Sequence, residues 1–420
     1  MNKFFRGSLD NGFTLLVQAL PARTSASLGV VVNTGSRQED AAQAGLSHML
    51  EHMVFQGTPR RDTRELSRVL NAVGGSLDAF TSRESTAFYA KVPAPHLGLA
   101  MDVIADILAR STFSPRLLEK EKKVIYEEIR MYEDEPEELV YDVFARALWP
   151  GHALGRPIIG ARRQVKRHTR ADLIRFWKMH YRPENMLVAV AGNVDPAQVR
   201  TLAGRFFAHW PQQGASPALA RARVPEVQSK IEILDRKQEQ VHVCLGTQSF
   251  PYSDPRRLAL MGLSNVLGGG TNSRLFFEVR ERRALAYSVY SFLDFYQDTG
   301  VAGVYAACHP RKLKETVEVI QAQIHDLATR LISLREWSDL REQMKGNLLL
   351  SLESSSAHMW RMVQQEMYLH AHPGLTATLR AIERLTREEV RQAARDVFQA
   401  RPLTLTAAGP VWPRQIPASL

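Results

Sequence analysis

This chain of 420 residues has few cysteines and no long apolar run. Its two cysteines, Cys244 and Cys308, lie in apolar, strand-like stretches, so we expect buried free thiols and no disulfide scaffold. No apolar stretch approaches the roughly 18 residues that a membrane-spanning helix needs. The N-terminal stretch MNKFFRGSLDNGF turns polar and lacks the apolar core of a signal peptide. We therefore expect a cytoplasmic protein, or a periplasmic or secreted one whose leader the sequence lacks.

The chain also lacks the interleaved basic and aromatic residues of a nucleic-acid-binding motif. Its net charge is +10, but the basic residues are spread along the sequence in short groups. These groups are RRDTR at 60–64, RRQVKRHTR at 162–170 and RERR at 280–283. We interpret most of this charge as solvated surface and expect no nucleic-acid partner.

Strand-like and helix-like segments alternate along the whole chain. The length suits two domains of about 200 residues each better than one core. The predicted strands cover 12–20, 27–33 and 185–194, a hairpin covers 76–92, and helices cover 41–55, much of 95–180 and the segment from 194 to about 209.

The chain matches itself at an offset of 217 residues. GLSHMLEH at 45–52 aligns with GLSNVLGG at 262–269, and TRADLIRFWKMHYRPENMLVAVAGNV at 169–194 aligns with TREEVRQAARDVFQARPLTLTAAGPV at 386–411, both without a gap. Two matches at one offset and in the same order indicate an internal duplication. We place the first domain at 1–215 and the second at 229–420, joined by a loose linker at about 211–228.

The two copies of the first match differ in their polar residues. The apolar and small residues persist, but His48, Glu51 and His52 become asparagine and two glycines in the second copy. If these three residues served folding, the second copy would have reason to keep them. Their loss there favours a role beyond folding, confined to the first domain.

His48, Glu51 and His52 fall on one side of a predicted helix, opposite an apolar stripe of leucines, methionines and a valine. Two histidines four residues apart on one face can reach the same metal ion. Glu51 comes directly before the second histidine, where it can hold a water molecule and take its proton. The alternative is a solvated helix face with two incidental histidines, and the pattern alone is only moderately specific.

A catalytic zinc needs a third protein ligand, and the strongly helical segment at 116–144 offers candidates. Glu121 and Glu128 are seven residues apart and share a face with apolar neighbours, whereas Glu127 points elsewhere. Glu128 would then be a ligand, and Glu121 an outer carboxylate that accepts a histidine N–H. A solvent-facing charged helix, which would also contain Glu119, is the alternative.

Together these features closely resemble the inverted zincins of the pitrilysin/insulysin peptidase family, family M16. The signature H-x-x-E-H is present as His48, Glu51 and His52, and its surroundings match in GSRQE at 35–39, AGLSHMLEHMVFQGT at 44–58 and EEIRMYEDEP at 127–136. The resemblance covers nearly the whole chain and is greatest to the short, processing-peptidase-like subgroup. It implies that His48, His52 and Glu128 hold one zinc ion, with Glu121 beside them.

The resemblance extends to two segments outside the metal signature. In SRLFFEVRERRALAYSVYS at 273–291, Arg280 and Tyr287 match residues that contact the substrate, so Arg280 would bind a carbonyl and Tyr287 would stabilise the oxyanion. In GGSLDAFTSRESTAFY at 74–89, Asp78, Ala79, Phe80 and Thr81 match an edge strand to which an extended peptide adds. The family often has asparagine at the position of Asp78.

The resemblance therefore implies an α+β fold of two homologous domains, each a largely antiparallel sheet packed with helices, arranged as a clamshell. It implies a zinc endopeptidase that encloses short or unfolded peptides and assembles as a homodimer or with a related subunit. Two other functions stay open: a non-catalytic subunit that supports an active partner, and a maturation peptidase dedicated to one precursor. Substrate preference does not transfer, because the processing-type members take basic leader peptides and this chain is itself basic.

Overall fold

A computed structural model describes residues 3–210, 223–412 and 415. Most of the linker predicted at 211–228 lies outside these residues. The chain divides into two compact units, and neither is a contiguous half. Of the described residues, the first contains 3–130, 156–210 and 351–372, and the second contains 131–155, 223–350, 373–412 and 415. Each unit thus takes one segment from the other half of the sequence. The domain bounds 1–215 and 229–420 stay a prediction.

Eleven strands form two sheets in the described part of the chain. The strands are β1 (Phe4–Ser8), β2 (Thr14–Ala19), β3 (Ser25–Val32), β4 (Ser76–Thr81), β5 (Thr86–Pro93), β6 (Met186–Gly192), β7 (Lys230–Leu234), β8 (Val241–Ser249), β9 (Ala286–Phe295), β10 (Gly300–Cys308) and β11 (Thr404–Ala408).

Fourteen α-helices are present in the same residues. They are α1 (Leu46–Val54), α2 (Thr63–Val69), α3 (Leu97–Arg110), α4 (Pro115–Asp134), α5 (Pro136–Leu148), α6 (Arg162–Arg167), α7 (Arg170–His180), α8 (Pro196–Phe207), α9 (Arg257–Gly268), α10 (Leu313–Thr329), α11 (Leu334–Ser351), α12 (Ser355–Leu369), α13 (Leu375–Arg384) and α14 (Arg387–Ala394).

The first unit is built on a six-stranded sheet in the order β1-β2-β6-β3-β5-β4, in which only β2 and β6 pair in parallel. Its strands are rich in valine and leucine, and β3 and β6 are almost wholly buried because helices cover both faces. Residues of α1, α3, α4 and α7 form the core on one face. On the other face, α12 packs Met359, Met362 and Val363 against the sheet.

The second unit repeats this plan with five strands in the order β7-β11-β8-β10-β9, and only β7 and β11 are parallel. Here α9, α10 and α14 cover one face, and α5 covers the other. Gly29 in β3 and Gly246 in β8, again 217 residues apart, face these covering helices. A Cβ at Gly29 would lie 3.0 Å from the Met359 sulfur, and one at Gly246 would lie 3.0 Å from the Phe144 ring. The same close approach of helix to sheet is therefore present in both units.

The mixed α/β fold class with two helix-covered sheets is confirmed, as is the hairpin, which is β4 and β5. The helix expected at 41–55 is shorter, because a turn occupies 41–45 and α1 begins at Leu46. The long helical segment breaks before Pro136, since Glu135 adopts an extended conformation between α4 and α5. Cys244 and Cys308 are buried and free, as predicted. Within the described residues, no helix is long and apolar enough to cross a membrane.

Candidate metal centre and its surroundings

Helix α1 is fixed at its start by a buried carboxylate. Gly45 adopts a left-handed conformation with φ of 89°, and α1 begins at the next residue. The Glu39 side chain accepts the backbone N–H groups of Gly45 at 2.9 Å and Ser47 at 2.6 Å. Burial raises the pKa of Glu39 to about 7, although these N–H donors oppose the shift. Because three buried residues, Met49, Leu50 and Met53, anchor the opposite face in the core, His48, Glu51 and His52 point away from it.

His48, His52 and Glu128 converge in this unit. One ligand atom from each residue lies within 4.8 Å of the other two. His48 Nε2 lies 3.5 Å from Glu128 Oε1, and His52 Nε2 lies 3.5 Å from Glu128 Oε2. Glu127, the neighbour of Glu128, instead pairs with Arg130 at 2.7 Å on the exposed side of α4. The three side chains of the predicted ligand set are therefore next to one another, and Glu127 is not among them.

This group of atoms fits zinc. Ligand atoms about 2.0–2.2 Å from a tetrahedral ion are separated from one another by roughly 3.3–3.6 Å. Each histidine Nε2 lies at such a distance, 3.5 Å, from a Glu128 oxygen, His48 from Oε1 and His52 from Oε2. Two imidazoles and one carboxylate are also the three protein ligands of several catalytic zinc sites, in which a fourth position stays open. The other ring nitrogen of His48, Nδ1, is buried and has no hydrogen-bond partner in the described residues. The Nε2 of the same ring faces Glu128.

Glu121 lies one step farther out. Its Oε2 is 3.3 Å from His52 Nδ1, so it can orient the ring whose Nε2 faces Glu128. Burial disfavours a charged His52, but the carboxylates of Glu121 and Glu128 outweigh it and raise the pKa of His52 to about 9. Burial also disfavours a charged Glu128, yet His48 and His52 lower the pKa of that carboxyl to about 2. The cluster therefore concentrates negative charge at a place suited to a cation.

Glu51 lies beside this cluster and makes a separate contact with strand β4. Thr81 at the end of β4 donates its hydroxyl to Glu51 Oε2 at 2.6 Å. Burial raises the pKa of Glu51, opposed by the Thr81 hydrogen bond and by the two histidines. One carboxylate oxygen is thus held by the sheet, which fixes the orientation of the side chain relative to His48 and His52.

The strand that holds Glu51 also lies at an end of its sheet. Among the described strands, β4 pairs only with β5. Leu77 and Ala79 point toward α1. Together with Phe55 and residues of α2, they line a cavity of about 470 Å³. Phe80 points to the other face and is 39% exposed. The predicted substrate strand therefore combines an unpaired edge with a cavity next to Glu51 and His52.

Arg280 and Tyr287 lie in the second unit, where they contact each other. Arg280 belongs to a π-helical turn, Phe276–Glu281, and donates Nη1 to the backbone oxygen of Tyr287 at 3.2 Å. Its guanidinium carbon lies 4.2 Å from the centre of the Tyr287 ring. Tyr287 is 73% exposed. Contact of these residues with a substrate stays a prediction.

Sequence reasoning missed two contacts of this region. Glu39 is part of the GSRQE segment, but nothing in the pattern shows that its carboxylate caps the start of α1. Thr81 was expected only to pair with substrate, whereas its side chain holds Glu51. The signal available for Glu39 was its position just before the helix predicted at 41–55. Thr81 could not be assigned without the fold, because it is 30 residues from Glu51.

Comparison with known protein families gives matches in both halves of the chain. The profile described as insulinase, peptidase family M16, matches residues 14–162. The profile described as the peptidase M16 inactive domain matches residues 167–344. All the candidate metal ligands, and Glu51, fall within the first match, whereas Arg280 and Tyr287 fall within the second.

Individual proteins match over nearly their full length. An uncharacterized zinc protease of Mycobacterium tuberculosis is 39% identical over 398 residues, covering 94% of this chain and 91% of the relative. The uncharacterized zinc protease YmxG of Bacillus subtilis is 36% identical over 393 residues, covering 94% of this chain and 95% of the relative. Among solved structures, a protease from Helicobacter pylori has a TM-score of 0.92 at 23% identity, covering 97% of this chain and 100% of that one. A structure from Pseudomonas fluorescens, described as a peptidase M16 inactive domain, has a TM-score of 0.91 at 19% identity, covering 97% and 98%.

Proposed function

Because this chain belongs to the insulinase family of peptidases, family M16, we propose that it is a zinc-dependent endopeptidase acting on short or unfolded peptides. The observation that carries the proposal is the convergence of His48, His52 and Glu128, with Glu51 held beside them by Thr81. In this proposal the first three residues hold one zinc ion, and Glu121 orients His52.

Zinc, when bound, polarises the scissile carbonyl and makes a water molecule more acidic. Glu51 accepts a proton from the attacking water on a carboxylate oxygen, as the water oxygen bonds to the carbonyl carbon. The same proton then passes from Glu51 to the leaving amine as the carbon–nitrogen bond breaks. The hydrogen bond from Thr81 keeps the carboxylate in one orientation through both transfers.

An extended substrate would add to the sheet at β4, using backbone groups of Asp78, Ala79, Phe80 and Thr81. The unpaired edge of β4 supports this part of the proposal. Arg280 is proposed to bind a substrate carbonyl and Tyr287 to stabilise the oxyanion. The proposal also includes assembly as a dimer, with itself or with a related subunit, which light scattering of the pure protein tests.

The test compares the wild-type protein with Glu51→Gln and with Glu127→Gln. The first variant removes the base while keeping its size, and the second changes an exposed carboxylate on α4 that pairs with Arg130. Metal analysis should find about one zinc per chain in all three proteins. Mass spectrometry of a peptide mixture should show hydrolysis slower by roughly 10²–10⁴-fold in Glu51→Gln only.

Two results would contradict the proposal. Equal cleavage by wild-type protein and Glu51→Gln would remove Glu51 from the reaction. A zinc-loaded wild-type protein that cleaves no peptide would instead favour the non-catalytic subunit. If cleavage occurs but is confined to one sequence, the enzyme is a dedicated maturation peptidase.

A further inference from the structure

A cavity recurs at the same place in both units, away from the candidate metal ligands. In the first unit, the α6 cavity has a volume of about 370 Å³ and lies where α6 and α7 meet the turn before α1. In the second unit, the α13 cavity has a volume of about 630 Å³ and lies where α13 and α14 meet the start of α9. Most residues that line the α6 cavity have a counterpart 217 positions later that lines the α13 cavity. The duplicated fold therefore forms this cavity twice, and volumes of this size are typical of sites for small molecules.

Two arginines line each cavity from a single helix. They are Arg163 and Arg167 on α6, and Arg380 and Arg384 on α13. Side chains four residues apart lie on the same face of a helix, so both guanidinium groups of a pair can reach one ligand. When residues 160–168 are aligned with 377–385 at the offset of 217, these two arginines are the only identical residues. The two halves thus share the arginine pair in a segment that otherwise differs.

Another arginine that both halves share has a clear structural role. Arg170 and Arg387 match at the same offset, and each donates its Nε to a backbone oxygen, that of Phe113 at 2.8 Å and that of Ile332 at 2.6 Å. In contrast, the arginine pairs of α6 and α13 are exposed and form no hydrogen bond or ion pair with the residues that the structure describes. Contacts within the fold therefore account for Arg170 and Arg387 but not for the pairs that line the cavities.

The other charged residues of the two cavities already have partners. Asp172 and Glu389 each accept the N–H and the hydroxyl of the threonine three residues before them. Asp40 accepts two backbone N–H groups of the following turn, at 2.7 Å and 2.8 Å. Arg175 lies 3.6 Å from Asp172, and Arg256 pairs with two aspartates outside the cavity at 2.8 Å each. The arginine pair is consequently the charge that is left for a ligand in each cavity, and that ligand is an anion.

We propose that each cavity binds a small phosphate-bearing molecule, with the phosphate group on its arginine pair. Guanidinium groups match phosphate oxygens with paired, parallel hydrogen bonds, which makes arginine well suited to this anion. Apolar residues of the lining, such as Ala259 and Leu385 in the α13 cavity, would contact the remainder of the molecule. These two sites are separate from the proposed peptidase site and do not depend on that function.

The experiment titrates the full chain with inorganic pyrophosphate at low salt and follows binding by isothermal titration calorimetry. The wild-type protein should bind two pyrophosphate ions. The double variant Arg163→Gln with Arg167→Gln should bind one, and so should Arg380→Gln with Arg384→Gln. The variant with all four changes should bind none. At a changed cavity the affinity should fall by more than roughly 100-fold, because each charge-assisted hydrogen bond contributes about tenfold or more.

The matched control is Arg64→Gln with Arg68→Gln, since these arginines are also four residues apart on an exposed helix face but line neither cavity. The control should still bind two ions. All variants should melt at the wild-type temperature, because the changed side chains are exposed. A wild-type Kd above about 1 mM, or two sites remaining in the variant with four changes, would overturn the inference. Equal weakening in the control would also overturn it, because binding would then follow net charge and not the cavities.

Vesicles that contain phosphatidylglycerol separate a free phosphate compound from a lipid headgroup. In a sedimentation assay the wild-type protein should not bind these vesicles more tightly than the variant with four changes. Arginine-dependent binding to vesicles without binding of pyrophosphate would show that the arginines contact a membrane surface, and the small-molecule sites would be refuted.

Discussion

Helices α1 and α9 occupy equivalent places in the two units but meet their sheets differently. In the first unit, Glu51 on α1 reaches Thr81 of the end strand β4 through a side-chain contact. In the second unit, α9 lies against the end strand β9 through a pair of serines, with 2.8 Å between the hydroxyls of Ser264 and Ser291. Gly268, which aligns with Glu51, packs so closely that an added Cβ would lie 2.3 Å from the backbone nitrogen of Ser291.

This difference separates what the fold needs from what the site needs. Both helices bury the same apolar positions, since Leu46 and Leu263 are each almost fully buried and Leu50 matches Leu267 in this respect. The fold therefore forms with a polar trio or with small residues at the facing positions. In the second unit those small residues close the space between helix and strand. The first unit keeps that space open and lines it with groups suited to a metal ion.

The largest expected effect is the loss of zinc binding when a metal ligand of α1 is removed. Removal of its counterpart in α9 should have no such effect. His48→Ala should weaken zinc binding by more than roughly 100-fold, because loss of an outer-shell partner alone typically costs 10–100-fold. Asn265→Ala, the matched change in α9, should leave zinc content and peptide cleavage at wild-type values. Metal analysis after dialysis against a weak chelator measures both, and full zinc occupancy in His48→Ala would refute the ligand assignment.

A second comparison concerns His180 and its counterpart Val397, which are both buried. Burial, with a contribution from Arg182, lowers the pKa of His180 to about 4. Protonation of His180 therefore leaves the free energy of unfolding unchanged above the ordinary histidine pKa of about 6.5. As the pH falls from there toward 4, the free energy of unfolding decreases, because the unfolded chain binds the proton more strongly than the folded chain does. The loss should reach ~3 kcal/mol by pH 4.

His180→Val tests this by placing the second unit's residue in the first. Thr34, which lies 3.2 Å from His180 Nδ1, keeps its hydrogen bond from Asn185 at 3.0 Å. The free energy of unfolding, followed by hydrogen exchange in β6 between pH 7 and pH 4, should fall less steeply in the variant. The exposed His209→Gln should retain the wild-type slope. An unaltered slope in His180→Val would show that other groups cause the acid sensitivity.

The close contact in the second unit gives a somewhat smaller effect. Gly268→Ala should destabilise that unit by about 1–3 kcal/mol, since its Cβ would meet backbone and not a flexible side chain. Gly346→Ala in α11 is the control, because no atom lies within 4 Å of the added Cβ. That control should be neutral or stabilising by about 0.4–1 kcal/mol. Equal melting curves for the two variants would mean that α9 can move away from β9 without cost.

The sequence was sufficient for the parts of the fold and site that depend on local pattern. The offset of 217 residues identified a duplication that reappears as two sheets with matching strand order. The helical periodicity was sufficient to group His48, Glu51 and His52, and the seven-residue spacing to select Glu121 and Glu128 over Glu127. The break before Pro136 has a local cause too, because proline disfavours helix in the residue before it.

Contacts between distant segments could not be derived in this way. Residues 131–155 and 351–372 pack in the unit opposite to their position in the sequence, and no local signal encodes this exchange. Trp360 beside Phe80 is one consequence, and Met359 against Gly29 is another. The Thr81 bond to Glu51 depends on how α1 packs across β4, which is a tertiary property.

The smallest expected effect is the one that should be equal in both units. Thr169 and Thr386 each cap the start of a helix. The Thr169 hydroxyl accepts the backbone N–H of Asp172 at 3.3 Å, and the Thr386 hydroxyl accepts that of Glu389 at 3.2 Å. In each case the acidic side chain reaches back to the threonine N–H, which completes a capping box. Thr169→Ala and Thr386→Ala should therefore each cost ~1 kcal/mol, measured as local hydrogen exchange in α7 and α14. Thr201→Ala, a change inside α8, should stay within about 0.5 kcal/mol of wild type. A loss in only one of the two capped helices would show that the duplicated units, alike in backbone, no longer share the same local energetics.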